Sequence, residues 1–334
     1  MRAIAMVRAN ALVPFVDFVE GIGGPIERLM QGARLPQQLF TDPERLVPMH
    51  QSLAFLGRIA RSEGLLDLGL VVGQCTRFDR LGAFAQLGRG ALTLHESLNR
   101  LIGAIALHSS GDRISLRYHG EHALLCHTFA LPEVPGRRQG ELFALSMMIE
   151  AIRAVVGPDW MPDEVRLAQS EKPNGSRIEA ILKVPVVCAG RMQAVVFARS
   201  LLARRPANAS PGPAADPEDY EVMRATAPAN DFAGSVRQVI GALLNDGVPD
   251  IQQTAGAVGF SVRTLQRYLA VCGESYSHLV DAVRFDVATR LLRDRDAKLI
   301  EIACELGYAD AANFTRAFRR WTGIAPSTFR RVQL

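Results

Sequence analysis

The chain has 334 residues, 48% of them apolar and 22% charged, with a formal net charge of +4. At about 150 residues per domain this predicts two domains, each with its own core, and excludes a disordered or fibrous protein. Charge-free stretches such as 46–57 and 251–262 end after twelve residues, well short of the ~20 that span a bilayer.

Arg8 interrupts the first apolar run too early for the core of a signal peptide, so a cytoplasmic protein with no membrane partner is expected. Of the 38 basic residues, 35 are Arg and three are Lys. Nearly every cation is therefore a planar bidentate donor suited to phosphate or guanine, although such a bias more often reflects a GC-rich genome. The five cysteines form no C-x-x-C pair, which predicts reduced, mostly buried apolar fillers and no metal site.

In chain order, amphipathic helices are predicted near Val13–Glu20, Pro25–Gly32 and Pro48–Glu63. Thr93 and Glu96 form a capping-box pattern that opens another helix, with Leu98, Leu101, Ile102 and Ile105 inward. Strands at Arg113–Tyr118 and His122–Leu131 flank a glycine turn and predict a hairpin. A long helix over Arg138–Val156 and strands at Glu164–Ala168 and Ala194–Ala198 complete an α+β domain with a small antiparallel sheet.

Pro206–Asp219 has four prolines and no aliphatic residue larger than Ala. It cannot pack a core and reads as a spacer, dividing the chain into residues 1–203, a linker over 204–230 and residues 231–334.

The last segment reads as helix throughout. Phe232, Val236, Val239, Ile240 and Leu243 recur at helical spacing up to Asn245–Gly247. A helix after Asp250 ends at Gly259, and Ser261 caps the next, Val262 to about Val271. That order is the plan of a helix-turn-helix, whose second helix enters a major groove. Leu265 and Leu269 face inward; Arg263, Thr264, Gln266, Arg267 and Ala270 face outward, without an acid among them. A connecting helix carries Leu279, Val280, Val283, Val287 and Leu291 on one stripe.

A second copy follows: Leu299–Leu306, a turn at Gly307, Asp310 as cap, and a helix Ala311–Thr322. That helix buries Phe314, Phe318 and Trp321 and leaves Arg316, Arg319 and Arg320 outside. Helical hairpins with a glycine turn also occur in structural bundles, so a single copy says little. Two copies joined by one long helix suit successive major grooves, ~34 Å apart on one face of B-DNA.

The segment Ile302–Arg330, IACELGYADAANFTRAFRRWTGIAPSTFR, resembles the signature of the AraC/XylS family of bacterial transcription regulators. The upstream AGAVGFSVRTLQRYL, 255–269, is similar to that family's first helix-turn-helix. The resemblance implies sequence-specific binding of double-stranded promoter DNA by both second helices, and leaves activation and repression both open. Arg263, Gln266 and Arg267 are the base-reading candidates of the first unit: Arg matches guanine O6/N7, and Gln matches adenine N6/N7. In the second unit Ala311 and Ala312 offer only apolar contact to a thymine methyl, with Asn313 and Arg316 beside them. Ser261, Thr264, Arg319, Arg320 and Arg330 are phosphate candidates, which position without specifying.

The stretch 78–101, FDRLGAFAQLGRGALTLHESLNRL, and RLVPMHQSLAFLGRIARSEG before it resemble the arabinose-binding-type sensor domain of one branch of the family. That implies a small-molecule effector of unknown identity, RNA polymerase as partner and an optional homodimer, with no cofactor and no catalytic residue. Two alternatives stay open: a metal- or haem-type sensor or enzyme fused to a DNA-binding module, and a constitutive DNA-binding dimer. Against the former, His122 and His127 are an odd number apart on one strand and point to opposite sheet faces. No nucleotide-binding, hydrolase or metalloprotease motif occurs.

The +4 divides evenly, because residues 231–334 hold 13 basic and 11 acidic side chains. Placement rather than net charge distinguishes that segment: the acids lie mostly on its connecting stretches.

Overall fold

In the computed structural model, residues 2–35, 42–190, 192–206, 217–244, 247–294 and 296–333 are described. The chain forms two compact units, Ala5–Pro228 and Met1–Ile4 with Ala229–Leu334.

The larger unit runs β1 (Met6–Arg8), α1 (Val13–Gly21), α2 (Ile26–Ala33), β2 (Leu46–Pro48), α3 (Met49–Ser62), α4 (Leu68–Gln74), α5 (Ala83–Gln86) and α6 (Leu94–His108). After these come β3 (Asp112–His119), β4 (His122–Phe129), α7 (Arg137–Val156), β5 (Glu164–Leu167), α8 (Gly175–Leu182), β6 (Val186–Cys188), β7 (Gln193–Ala198) and α9 (Pro217–Ala225). Strands β3, β4, β7, β5 and β6 lie in that order in one sheet, while β1 and β2 pair separately. The sheet is small and mostly antiparallel, as expected. One parallel pair, β5 with β6, closes its edge, because α8 supplies the crossover that a parallel pair requires.

Two apolar clusters fill this unit, and α7 lies between them. Phe143, Met147 and Ala151 face the cluster built on α1, α3 and α4, while Leu145, Met148 and Ile152 face the cluster against the sheet. A helix buried on two sides reads as apolar almost all round. Helix α4 approaches α7 closely because Gly69 and Gly73 carry no side chain. A Cβ at the first would collide with the Gln139 carbonyl, and one at the second with Ser146.

Arg8 is 1% exposed, which is tolerated because its donors are used. It donates to the carbonyls of Leu107 at 3.0 Å, Glu44 at 2.6 Å and Met223 at 2.9 Å, and to Thr226 Oγ1 at 3.1 Å. The last two partners belong to the segment expected to be linker. Residues 217–225 are helical instead, and Met223 is buried in the core of the larger unit. The rest of the expected spacer, 207–216, lies outside the described residues.

The smaller unit is helical: α10 (Phe232–Leu243), α11 (Ile251–Ala257), α12 (Val262–Val271), α13 (Tyr276–Leu291), α14 (Leu299–Glu305), α15 (Ala311–Thr322) and α16 (Pro326–Gln333). The expected helix stop at Asn245–Gly247 falls partly outside the described residues. Local chemistry starts most of these helices. Asp231, Asp250, Ser261, Ser275 and Asp310 each accept, through the side chain, the backbone N–H three residues on, which satisfies donors that a helix start leaves open. In this unit the Ile4 amide also donates to Ser235 Oγ at 2.9 Å.

Candidate functional site

Each helix-turn-helix is built around its own aromatic cluster. In the first, Phe232, Phe260 and Tyr268 meet with ring centroids 5.5 to 6.4 Å apart. The Tyr276 hydroxyl there donates to the Pro249 carbonyl at 2.7 Å. In the second, Phe318 touches Phe285, Phe314, Trp321 and Phe329. Gly259 and Gly307 make the two turns with φ of 75° and 71°, a region in which other residues are strained.

Both second helices are therefore anchored by an apolar face and a capped N-terminus. On α12, Leu265 and Leu269 are buried, whereas Arg263, Gln266, Arg267 and Ala270 are exposed. Among the described residues, neither arginine has an ion-pair partner, and α12 contains no acid. Ser261 Oγ caps the helix and lies 2.9 Å from the half-buried Thr264 hydroxyl. The cap thus uses the two hydroxyls assigned to phosphate, while its backbone N–H groups and the positive helix end stay at the same place.

The outward face of α15 is more internally committed. Asn313 Nδ2 donates to Asp310 Oδ2 at 2.9 Å, and Arg316 donates to Asn313 Oδ1. Ala311 is half-buried and Ala312 exposed. Arg319 faces solvent, but Arg320 lies 2.9 Å from Asp281 on α13, and Arg330 donates to the Ala297 carbonyl at 2.7 Å. Arg284 stacks 4.3 Å over the Tyr308 ring and donates to the Leu306 carbonyl at 3.1 Å, fixing the second turn to α13.

The larger unit holds a cavity of about 130 Å³ between its helices and strands β3 and β4. Phenylalanines 15, 78, 84, 129 and 143 line it together with aliphatic side chains, and its polar side chains are Ser52, His108, Asp112 and His127. In the β3–β4 register Asp112 faces Phe129 and Ile114 faces His127, so Asp112 and His127 are diagonal neighbours on the inward sheet face. Gln193 Nε2 donates to His127 Nδ1 at 2.8 Å and to the Glu141 carbonyl at 2.7 Å. His127 Nε2–H is thereby aimed at Asp112 Oδ1, which accepts it. Burial raises the Asp112 pKa, but the hydrogen bonds from His127 and Ser109 and the neighbouring imidazoles together outweigh it and hold the carboxyl below its usual range.

His108 stacks on Phe84 with centroids 4.8 Å apart, and its buried Nδ1 has no hydrogen-bond partner. Burial lowers its pKa to about 4, so the ring is neutral at pH 7. The odd spacing of His122 and His127 predicts opposite sheet faces, and the structure has His122 exposed and His127 buried. His119 is exposed as well, whereas His127 is 1% exposed. Carrying the predicted hairpin register back from Gly120 would have placed His127 beside Asp112. Among the described residues no three His, Cys, Asp or Glu side chains come together as metal ligands would. Of the cysteines expected to be mostly buried, Cys126 is buried but Cys75, Cys272 and Cys304 are exposed.

The family model for the arabinose-binding domain of AraC transcription regulators, N-terminal, matches residues 23–206, and that for a helix-turn-helix domain matches residues 254–332. The chain belongs to the AraC family of transcription regulators. Within this family it resembles the ornithine utilization regulator of Pseudomonas aeruginosa, 43% identical over 82 residues, 25% of this chain and 24% of that one. The match to such relatives spans about a quarter of their length. The HTH-type transcriptional regulator VirS of Mycobacterium tuberculosis is 23% identical over 335 residues, covering 98% of this chain and 96% of that one. The crystal structure of transcriptional regulator CdpR from Pseudomonas aeruginosa is 25% identical over 79% of this AraC-family chain and 86% of that chain, with a TM-score of 0.34.

Proposed function

We propose that the protein regulates transcription by binding promoter DNA through α12 and α15, under control of a small molecule bound in the larger unit. The observation that carries this reading is the pair of separately capped helix-turn-helix units, the first with an acid-free exposed face of Arg263, Gln266 and Arg267. Arg263, Gln266 and Arg267 read base edges, and Arg319 grips phosphate. Asn313 and Arg316 exchange their mutual bond for DNA, while Ala311 and Ala312 contribute shape. The first unit then carries more hydrogen-bonded specificity than the second.

Arg320 and Arg330 have internal partners and contribute less to phosphate binding than Arg319. Ser261 and Thr264 act through the capped N-terminus of α12. The sensor domain extends to Pro228 and includes α9, so its boundary lies beyond the break in composition at Pro206. RNA polymerase as partner, a homodimer, an activating role and a cytoplasmic location accompany this reading. No described helix is long and apolar enough to cross a membrane.

Fluorescence anisotropy with a duplex from the intergenic DNA beside its gene tests the proposal. Saturable binding that weakens steeply with salt and exceeds binding to a scrambled duplex by at least 1000-fold is expected. Equal affinity for both duplexes would refute it.

A further inference from the structure

The cavity of the larger unit has an unusual division of polar groups. Ser52 donates its hydroxyl to the Pro48 carbonyl at 3.0 Å. Both nitrogens of His127 are engaged, one by Asp112 and one by Gln193. The unspent polar capacity of the lining, among the described residues, is His108 Nδ1, which is buried without a partner, and the lone pairs that His127 and Ser109 leave on the Asp112 carboxylate. The rest of the wall is aromatic and aliphatic, with Met49, Met147 and Met148 as adaptable fillers.

This lining discriminates between ligand classes. A pentose would bury four hydroxyls where one or two find partners, and each remaining hydroxyl would lose its water without compensation. An anionic ligand would sit beside Asp112, which its bond from His127 keeps ionised. A cavity of about 130 Å³ is close to the ~150 Å³ apolar cavity known to take up benzene.

We propose that this cavity binds a small, uncharged, mainly apolar molecule of about one aromatic ring, offering a single hydroxyl to His108 and Asp112, a phenol-like compound rather than a sugar. The inference deepens the effector reading above and rests on it. It also separates the ligand of this chain from the sugar in the name of its domain family.

The full-length protein is titrated by calorimetry at pH 7 with phenol, toluene, benzoate and L-arabinose. Phenol and toluene have nearly the same shape, so their difference reads the polar contact alone. Phenol is expected to bind saturably with one site per chain, at least tenfold more tightly than toluene, with no binding of benzoate or L-arabinose at the same concentrations. His108→Phe should remove the preference, leaving toluene at least as tight as phenol. Ala144→Phe, which fills the cavity, should abolish both, and the His108→Phe result stands even if that variant misfolds. Absence of saturable phenol binding, equal binding of toluene by the unaltered protein, or tighter binding of L-arabinose would each overturn the assignment. Promoter affinity measured alongside separates the two readings. Phenol binding without any change in promoter affinity keeps the ligand class and removes the effector role. A polyol that binds and shifts promoter affinity keeps the effector role and removes the ligand class.

Discussion

The Arg320 guanidinium lies 2.9 Å from the Asp281 carboxylate, and this pairing separates two neighbouring arginines by their availability to DNA. Arg319 is exposed with no such partner among the described residues. Replacing Arg319 with Ala should reduce the slope of log K against log salt by about one phosphate contact. Arg320→Ala should reduce it by less. Asp281→Asn, which frees Arg320, should raise affinity for non-specific duplex. Anisotropy titrations between 50 and 200 mM salt, on the order of the range in which such contacts are lost, measure all three.

The neutral, buried His108 makes stability depend on pH. Its pKa is lowered to about 4 in the folded chain against ~6.5 when unfolded. Above pH ~6.5 neither state binds the proton and the group contributes no pH dependence. As pH falls towards about 4, the unfolded chain takes up a proton that the folded chain refuses, so stability declines by about 3 kcal/mol. Urea melts across that window should show the decline in the native protein and a flatter profile in His108→Phe. A profile identical in both would count against the burial argument.

Arg8 is held by carbonyls from three parts of the larger unit. Arg8→Met leaves those acceptors buried without a donor and should destabilise that unit by about 3 kcal/mol. Denaturant melts measure the loss, and hydrogen exchange should rise first in 217–225, whose Met223 carbonyl Arg8 binds.

The contact of α4 on α7 depends on missing side chains. Gly73→Ala should cost about 1–3 kcal/mol, because the new methyl meets Ser146. Gly103→Ala, where a Cβ would meet nothing within 4 Å, should be neutral or slightly stabilising, since Ala favours helix by about 1 kcal/mol over Gly. Paired melts of the two variants test the packing.

The smaller unit was legible from sequence because its information is local. Asp250, Ser261 and Asp310 announce helices that begin at the next residue, and Leu265, Leu269, Phe314 and Phe318 mark the inner faces. Trp321 is the partial exception, half-buried at the rim of its cluster. The larger unit was legible where periodicity runs long, as in α3, α6, α7 and the β3–β4 hairpin. Even there Glu96 accepts from the Leu92 amide at 2.8 Å instead of closing the box on Thr93. Strands β1, β2 and β6, of three residues each, are too short to show alternation. Helix α9 was hidden by the proline-rich composition before it, and its place is set by Arg8, 215 residues away from Met223. The cavity was hidden for the same reason. Its polar group joins Asp112, His127 and Gln193 through strand register with His108 from the end of α6, and its free volume depends on how α1, α3, α6 and α7 pack.

Hydroxyl-radical footprinting of the full-length protein on its promoter, with and without the double substitution Arg263→Ala and Arg267→Ala, tests most directly whether both helix-turn-helix units read DNA. Two protected windows about one helical turn apart on one face of the duplex are predicted, and the double variant should lose the window assigned to α12 while keeping the other. An unchanged footprint in the double variant, or a single window in the unaltered protein, would contradict the account.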